Sequence, residues 1–206
     1  LIGIPNEAIK RYKKIFKEAG LKIIALEIES FSLVRALNRA DDVLTLTVDI
    51  GAEATNVIVS KNGILKYSSE TDYGGIYITQ ALSRSLGISA LRAEELKRRR
   101  GLTGRGGEME LSTLLIPFLD VIIQECRHVK DVYERQYGEK IEKLHLTGGG
   151  ANLLGIERYF GSQINLPLAS LATLGGVDYE SNLEPVMKNL TNELLISIGL
   201  ARRYFE

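Results

Sequence analysis

Two hydrophobic periods alternate along this 206-residue chain, one close to 3.6 and one close to 2. Glu7–Ala19 reads as an amphipathic helix closed by Gly20 at its C-terminal cap. Leu1–Pro5 reads as a strand end, Leu21–Glu27 as a strand, and Ser30 as the N-cap of a helix over Phe31–Arg39. From Val43 to Ser69 the pattern becomes strand, polar tip, strand, turn, strand. The second turn is Asn62-Gly63, two residues that tolerate the positive φ of a type I′ turn, so an antiparallel meander is predicted. A helix is predicted from Gly74-Gly75 to Leu86 with Gly87 ending it, and another over Ala90–Arg100 with Ser89 as its cap. Gly101–Gly107 holds four glycines in seven residues and reads as a mobile loop. Glu110–Tyr137 is a long helical stretch that Pro117 kinks or restarts. A short strand at Lys143–Leu146, a helix at Ile156–Phe160 and a last helix at Asn189–Tyr204 complete the series. This order of elements predicts a mixed α/β sheet.

Composition narrows the classes. The chain is 45% hydrophobic, and 26 basic residues balance 26 acidic ones. Nothing therefore argues for a general attraction to nucleic acid or anionic lipid. No apolar run approaches the roughly 20 residues that span a bilayer, and no signal-peptide pattern opens the chain. The single cysteine, Cys126, excludes an internal disulfide framework and lies in a helical pattern, where a buried structural thiol is expected. With it, His128 and His145 offer no zinc-type ligand set, and His145 reads as an ordinary strand residue.

Two glycine-bearing elements carry the candidate chemistry. The first is the hairpin Thr45–Val59, whose tip presents Asp49, Gly51, Ala52, Thr55 and Asn56. A carboxylate, a glycine and a hydroxyl at one tip can position metal-bound water and meet phosphate oxygens. An ordinary polar hairpin tip has the same composition. The second is the strand Lys143–Leu146 running into Thr147-Gly148-Gly149-Gly150-Ala151-Asn152-Leu153-Leu154-Gly155. Consecutive glycines at a strand end let backbone approach a ligand where any Cβ would clash, and a following helix supplies free N–H groups. A tight turn before a surface helix is the plain alternative.

Together the two elements resemble the actin-like ATPases, which have a ribonuclease H-like fold. D-I-G-A-E-A-T-N (49–56) is similar to their second phosphate-binding hairpin, and L-H-L-T-G-G-G-A-N-L-L-G-I (144–156) to their adenosine motif. Tyr73–Leu82 and Ala93–Gly101 are similar to the G-G-x-x-h-T and A-E-x-x-K segments of the cell-division and pilus branch. Gly20-Leu21 followed by Leu26–Leu37 points within that branch to the type IV pilus assembly family PilM. The resemblance covers Leu1 to Phe205 and implies an α/β chain that is mostly the second lobe of that fold, with a fragment of the first. Residues 1–40 would be the tail of the first lobe, 41–74 and 125–206 the sheet subdomain of the second, and 75–124 an inserted helical subdomain. The absence of an initiator methionine and of an earlier D-x-G hairpin gives the expectation of a truncated chain.

The resemblance also implies the ligands and the roles. ATP and Mg2+ would be bound, with Asp49 orienting a magnesium-bound water and Gly51 and Ala52 approaching the phosphates beside Asn56. Thr55 would donate a hydroxyl hydrogen bond at the tip. Gly148, Gly149 and Gly150 would pass the adenosine and α-phosphate, with Asn152 near base or sugar. Glu94 and Lys97, three apart on a helix, can clamp a ribose; a solvated, salt-bridged face is the alternative. Arg98-Arg99-Arg100 reads as a solvated run. Glu53 stands where many relatives have a second glycine, and a carboxylate there would repel phosphate unless turned away. Weak or absent hydrolysis is the resulting expectation. The partner implied is the N-terminal tail of a PilN-like membrane protein, with other platform proteins. The setting implied is the cytoplasmic face of the inner membrane, reached only through partners, with no role for nucleic acid. Alternatives are an FtsA-like cell-division protein and a small-metabolite kinase of the same superfold.

Overall fold

Thr45–Ile50 (β1), Thr55–Lys61 (β2) and Ile64–Thr71 (β3) are rich in β-branched residues and leucine, and these strands form the predicted antiparallel meander. The computed structural model describes residues 3–37, 42–103, 109–169 and 177–205. Asn62 and Gly63 both have positive φ, 53° and 70°, as the type I′ turn between β2 and β3 requires. Lys143–Thr147 (β4) adds to β1 in parallel, so the sheet order is β3-β2-β1-β4. β1 is therefore central and buried along its whole length.

The two faces of β1 meet different layers. Leu46, Val48 and Ile50 enter a core with Leu115, Leu119, Ile122, Cys126 and Val129 of the long helix Met109–Tyr137 (α5). These helix residues recur every three or four positions, which makes one continuous apolar stripe. Pro117 lies inside α5, and buried Leu115 and Leu119 hold the helix to the core on either side of it. Cys126 is fully buried, and burial pushes its thiol well above the ordinary range, so it stays protonated and inert. On the opposite face Ile58 packs with Leu33 and Val34 of Glu29–Ala36 (α2) and Leu195 of Glu184–Arg202 (α7). The helices Asn6–Glu18 (α1), Gly75–Leu86 (α3), Ala90–Arg100 (α4) and Ile156–Ile164 (α6) complete the described elements.

Several boundaries differ from the sequence expectation. Leu21–Glu27 is not a strand: it runs without a ladder partner among the described residues, and Leu21, Ile24 and Leu26 stay exposed. Alternation predicts a strand, but only a neighbour completes one. Ser30 does not cap α2; the helix begins two residues earlier than expected, at Glu29, Ile28 holds the cap position, and Ser30 is buried within the first turn. The expected end of that helix at Arg39 falls outside the described residues, as do Leu1, Ile2 and Gly104–Gly107 of the expected loop. Gly3–Pro5 is irregular rather than strand. α7 starts earlier than the apolar periodicity suggests, because Pro185 sits in its first turn, where a missing N–H costs nothing.

Candidate functional site

The tip of the β1–β2 hairpin is tied to the start of α3. Gly51 N–H donates to Ala54 O at 2.9 Å, while Gly51 O and Ala52 O accept from the N–H groups of Gly75 and Ile76 at 2.9 and 2.8 Å. Gly74 lies too close to the Ala52–Glu53 backbone for any Cβ. The first N–H groups of α3 are thus spent on the tip rather than left for a ligand. Thr55 is fully buried, and its hydroxyl donates to Tyr73 O at 2.6 Å. Thr55 thus donates its hydroxyl hydrogen bond at the tip, to backbone that braces the hairpin. Ala52 and Glu53 are exposed.

Asp49 lies beside β4, across from Thr147, whose Oγ1 donates to Asp49 Oδ1 at 2.9 Å. The carboxylate is 5% exposed. Burial raises its pKa above the ordinary value; the Thr147 hydrogen bond opposes this, and the charge of Glu29 adds to it. Glu29 is a group that sequence reading missed. It stands in the first turn of α2, and Asn56, paired with Asp49 across the ladder, places Nδ2 3.5 Å from its Oε2. The sole sequence signal was its position in the E-I-E-S stretch, which reads equally as a helix start.

The three consecutive glycines serve different ends. Gly148 has φ 78°, and a Cβ there would strike Ile50 O and Asp49 Oδ1. At Gly150 it would strike the side chain of Ile50. Close packing on the end of β1 accounts for both. Gly149 faces outward: a Cβ would find nothing nearer than Glu193 Oε1 at 3.9 Å. The element that follows directly is a 3-10 turn over Gly149–Asn152, and α6 begins only at Ile156 after Gly155. The helix thus starts at Ile156 as the sequence pattern predicts, with the 3-10 turn standing between its N–H groups and the glycines. Asn152 Oδ1 accepts from Asn192 Nδ2 at 2.9 Å, and its Nδ2 donates to Glu193 Oε1 at 3.3 Å. Gly148 N–H donates to Asn192 O at 3.0 Å. Asn192 and Glu193 were also missed, since the final helix was read from its apolar residues alone.

Lys97 and Glu94 lie on one face of α4, as their spacing predicts, but not on a solvated one. Lys97 Nζ, 12% exposed, donates to Gly75 O at 2.9 Å and to Thr79 Oγ1 at 2.8 Å, and pairs with Glu94 at 2.7 Å. Glu94 also accepts from Thr79 and from Arg98 Nε. Burial alone would raise the Glu94 carboxyl, but the hydrogen bonds from Arg98, Lys97 and Thr79 outweigh it and hold it at about 2. Its stabilising contribution is complete above the unfolded value near ~4.3 and is lost as pH falls through the folded value. Urea unfolding should therefore show wild type losing about 1 kcal/mol more than Glu94→Gln between pH 5 and pH 3. Equal losses would contradict the pairing. At its end α4 docks on the glycine loop, with Leu102 N–H donating to Leu154 O at 2.7 Å.

These contacts place the hairpin tip, the α3 start, α4 and the glycine turn around the same end of β1 and β4. The donor set fits a nucleotide with magnesium: an outward backbone turn at Gly149, a buried carboxylate at Asp49, and polar groups at Asn152, Asn192 and Glu193. Among the described residues no group of three His, Cys, Asp or Glu stands where it could hold a metal ion.

A family model described as type IV pilus assembly protein PilM matches residues 4–205. The cell division protein FtsA of Neisseria meningitidis serogroup B is 26% identical over 197 residues, covering 84% of this chain and 48% of that protein. The chain thus spans about half the length of that curated relative. Among solved structures, a PilM–PilN type IV pilus biogenesis complex superposes with a TM-score of 0.82 at 25% identity, covering 98% of this chain and 59% of that one. MreB5 of Spiroplasma citri bound to ADP gives 0.71 at 15% identity, covering 97% and 65%. The actin-like α/β fold is shared by all of these.

Proposed function

Because the chain belongs to the PilM family of type IV pilus assembly proteins, we propose that it is an ATP-binding scaffold of that assembly, bound through the cleft at the end of β1 and β4. The observation that carries the nucleotide part is the division of labour in the glycine turn. Gly148 and Gly150 are needed for packing, whereas Gly149 is open to a ligand. Asp49 would orient a magnesium-bound water, and burial keeps its carboxylate responsive to an added cation. Gly51, Ala52 and Asn56 would lie along the phosphates. Asn152 would face sugar or base, with Glu94 and Lys97 fixing the α3–α4 wall. Magnesium supplies charge neutralisation for the phosphates when bound. Glu53 is exposed at the tip, and in this reading its carboxylate would have to turn from the phosphates. Residues 41–74 and 125–206 would form the sheet subdomain and 75–124 the inserted one.

Gly149→Val should lower magnesium-ATP affinity about a hundredfold, on the order of 3 kcal/mol, and Gly149→Ala should lower it less, while both variants keep their melting temperature. Unchanged affinity in Gly149→Val, measured by calorimetry on the full-length protein, would falsify the site.

The partner would be the cytoplasmic N-terminal tail of a PilN-like membrane protein. The likeness to the PilM–PilN complex supports this reading. No described helix is long and apolar enough to cross a membrane; on this reading the protein would sit at the inner face of the inner membrane, held there by that tail. Fluorescence anisotropy with a labelled tail peptide and the full-length protein tests the partner; a flat titration would remove it from the account. The PilM family match favours this reading over a cell-division one.

A further inference from the structure

Glu193 stands on α7 beside the outward-facing Gly149. Its Oε1 is the nearest atom to a Cβ placed on that glycine, at 3.9 Å. A short relay of amides aims the carboxylate. Asn192 Nδ2 donates to Asn152 Oδ1 at 2.9 Å, which turns the Asn152 amide so that its Nδ2 donates to Glu193 Oε1 at 3.3 Å. Gly148 N–H donates to Asn192 O at 3.0 Å and ties this stretch of α7 to the glycine turn. Among the described residues Asn152 is the single hydrogen-bond donor to the Glu193 carboxylate. An ionised carboxylate accepts about four hydrogen bonds, so acceptor capacity remains. The turn is bordered by α4 as well, through the Leu102 N–H bond to Leu154 O. There the Arg98 guanidinium is held above its ordinary range by its hydrogen bond to Glu94, with the charge of Glu193 adding to the effect.

Resting on the nucleotide site proposed above, we infer that Glu193 reads the base, its carboxylate accepting a hydrogen bond from the exocyclic amino group of a purine. A carboxylate beside Gly149 repels phosphate, so the phosphates lie toward Gly51 and Ala52, and the uncharged part of the ligand takes the end next to Glu193. At the edge of a purine ring the unsubstituted nitrogens only accept hydrogen bonds, as the carboxylate does. An amino group is the substituent that donates. The resulting bond is charge-assisted, and stronger than one between neutral groups. A purine without that group takes water from Glu193 and gives no donor in return, which is how a polar site rejects a ligand of nearly the same shape. Asn152 keeps the carboxylate turned to the glycine side throughout.

Calorimetric titration of the full-length protein tests this with two ligands, magnesium-ATP and the magnesium complex of purine riboside triphosphate, which lacks the 6-amino group. Wild type should bind ATP about tenfold more tightly than the analogue. Glu193→Leu should lose about tenfold in ATP affinity and bind both ligands alike, at an unchanged melting temperature, since Glu193 is exposed. Glu193→Gln keeps an acceptor oxygen without the charge and should retain part of the preference. An equal loss for both ligands in Glu193→Leu would mean that Glu193 only supports the turn through Asn152, and overturns the base-reading role. Equal affinities in wild type overturn it too, while leaving the nucleotide site in place. Binding of neither ligand by wild type removes the nucleotide site, and this inference with it.

Discussion

Gly199→Ala is expected to be the most destabilising single substitution in the α2–α7 layer, costing about 4 kcal/mol and lowering the melting temperature by roughly 10 °C. A Cβ at Gly199 would lie far inside contact distance of the Ser32 carbonyl oxygen and would press on its carbon and Cα as well. All three are helix backbone, which cannot swing aside as a side-chain tip can. Relief requires α2 to lift from α7. That movement opens the cluster of Leu33, Val34, Ile58 and Leu195 and pulls Arg35 away from Gly199 O. Urea and thermal unfolding of Gly199→Ala beside Gly149→Ala provide the comparison, because Gly149 has open space. Similar small losses in both would mean that the helices cross more loosely than described.

Lys97→Ala should be nearly as costly, about 3 kcal/mol, the loss typical when one member of a mostly buried ion pair is removed. Its ammonium holds three acceptors at once: Gly75 O at the start of α3, Thr79 Oγ1 one turn later, and the Glu94 carboxylate. Without it Gly75 O loses a donor, and Glu94 keeps only Thr79 and the exposed Arg98. Lys97→Arg should recover part of the loss, since the charge remains while the wider guanidinium fits the space less well. The same change should weaken magnesium-ATP binding, because the α3 start that Lys97 braces carries the hairpin tip. A variant as stable as wild type would show that α3 and α4 are held by apolar contacts alone.

Much of this architecture was legible from local chemistry. Asn62-Gly63 and Gly87 report a positive-φ backbone that few other residues adopt, Ser89 supplies a capping side chain, and each stands where expected. The Ser89 side chain accepts from Arg92 N–H, a cap readable from sequence alone. What failed depended on partners. Leu21–Glu27 has the alternation of a strand, but alternation does not supply a neighbouring strand. Ser30 has the chemistry of a cap, yet Glu27 and Ser32 form the polar junction there instead. At the site, Gly148, Gly149 and Gly150 look alike in sequence, and only the position of Ile50 separates packing glycines from the open one. Glu29, Asn192 and Glu193 reach the site from helices whose periodicity describes their buried faces, so their polar residues gave no signal.

Amide hydrogen exchange of the full-length protein, with and without magnesium-ATP, tests the central claim most directly. The nucleotide cleft predicts slowed exchange at Gly51–Ala54 and at Gly148–Leu153, with the outer face of β3 unchanged. Nucleotide binding accompanied by protection elsewhere, and none at these two segments, would contradict it.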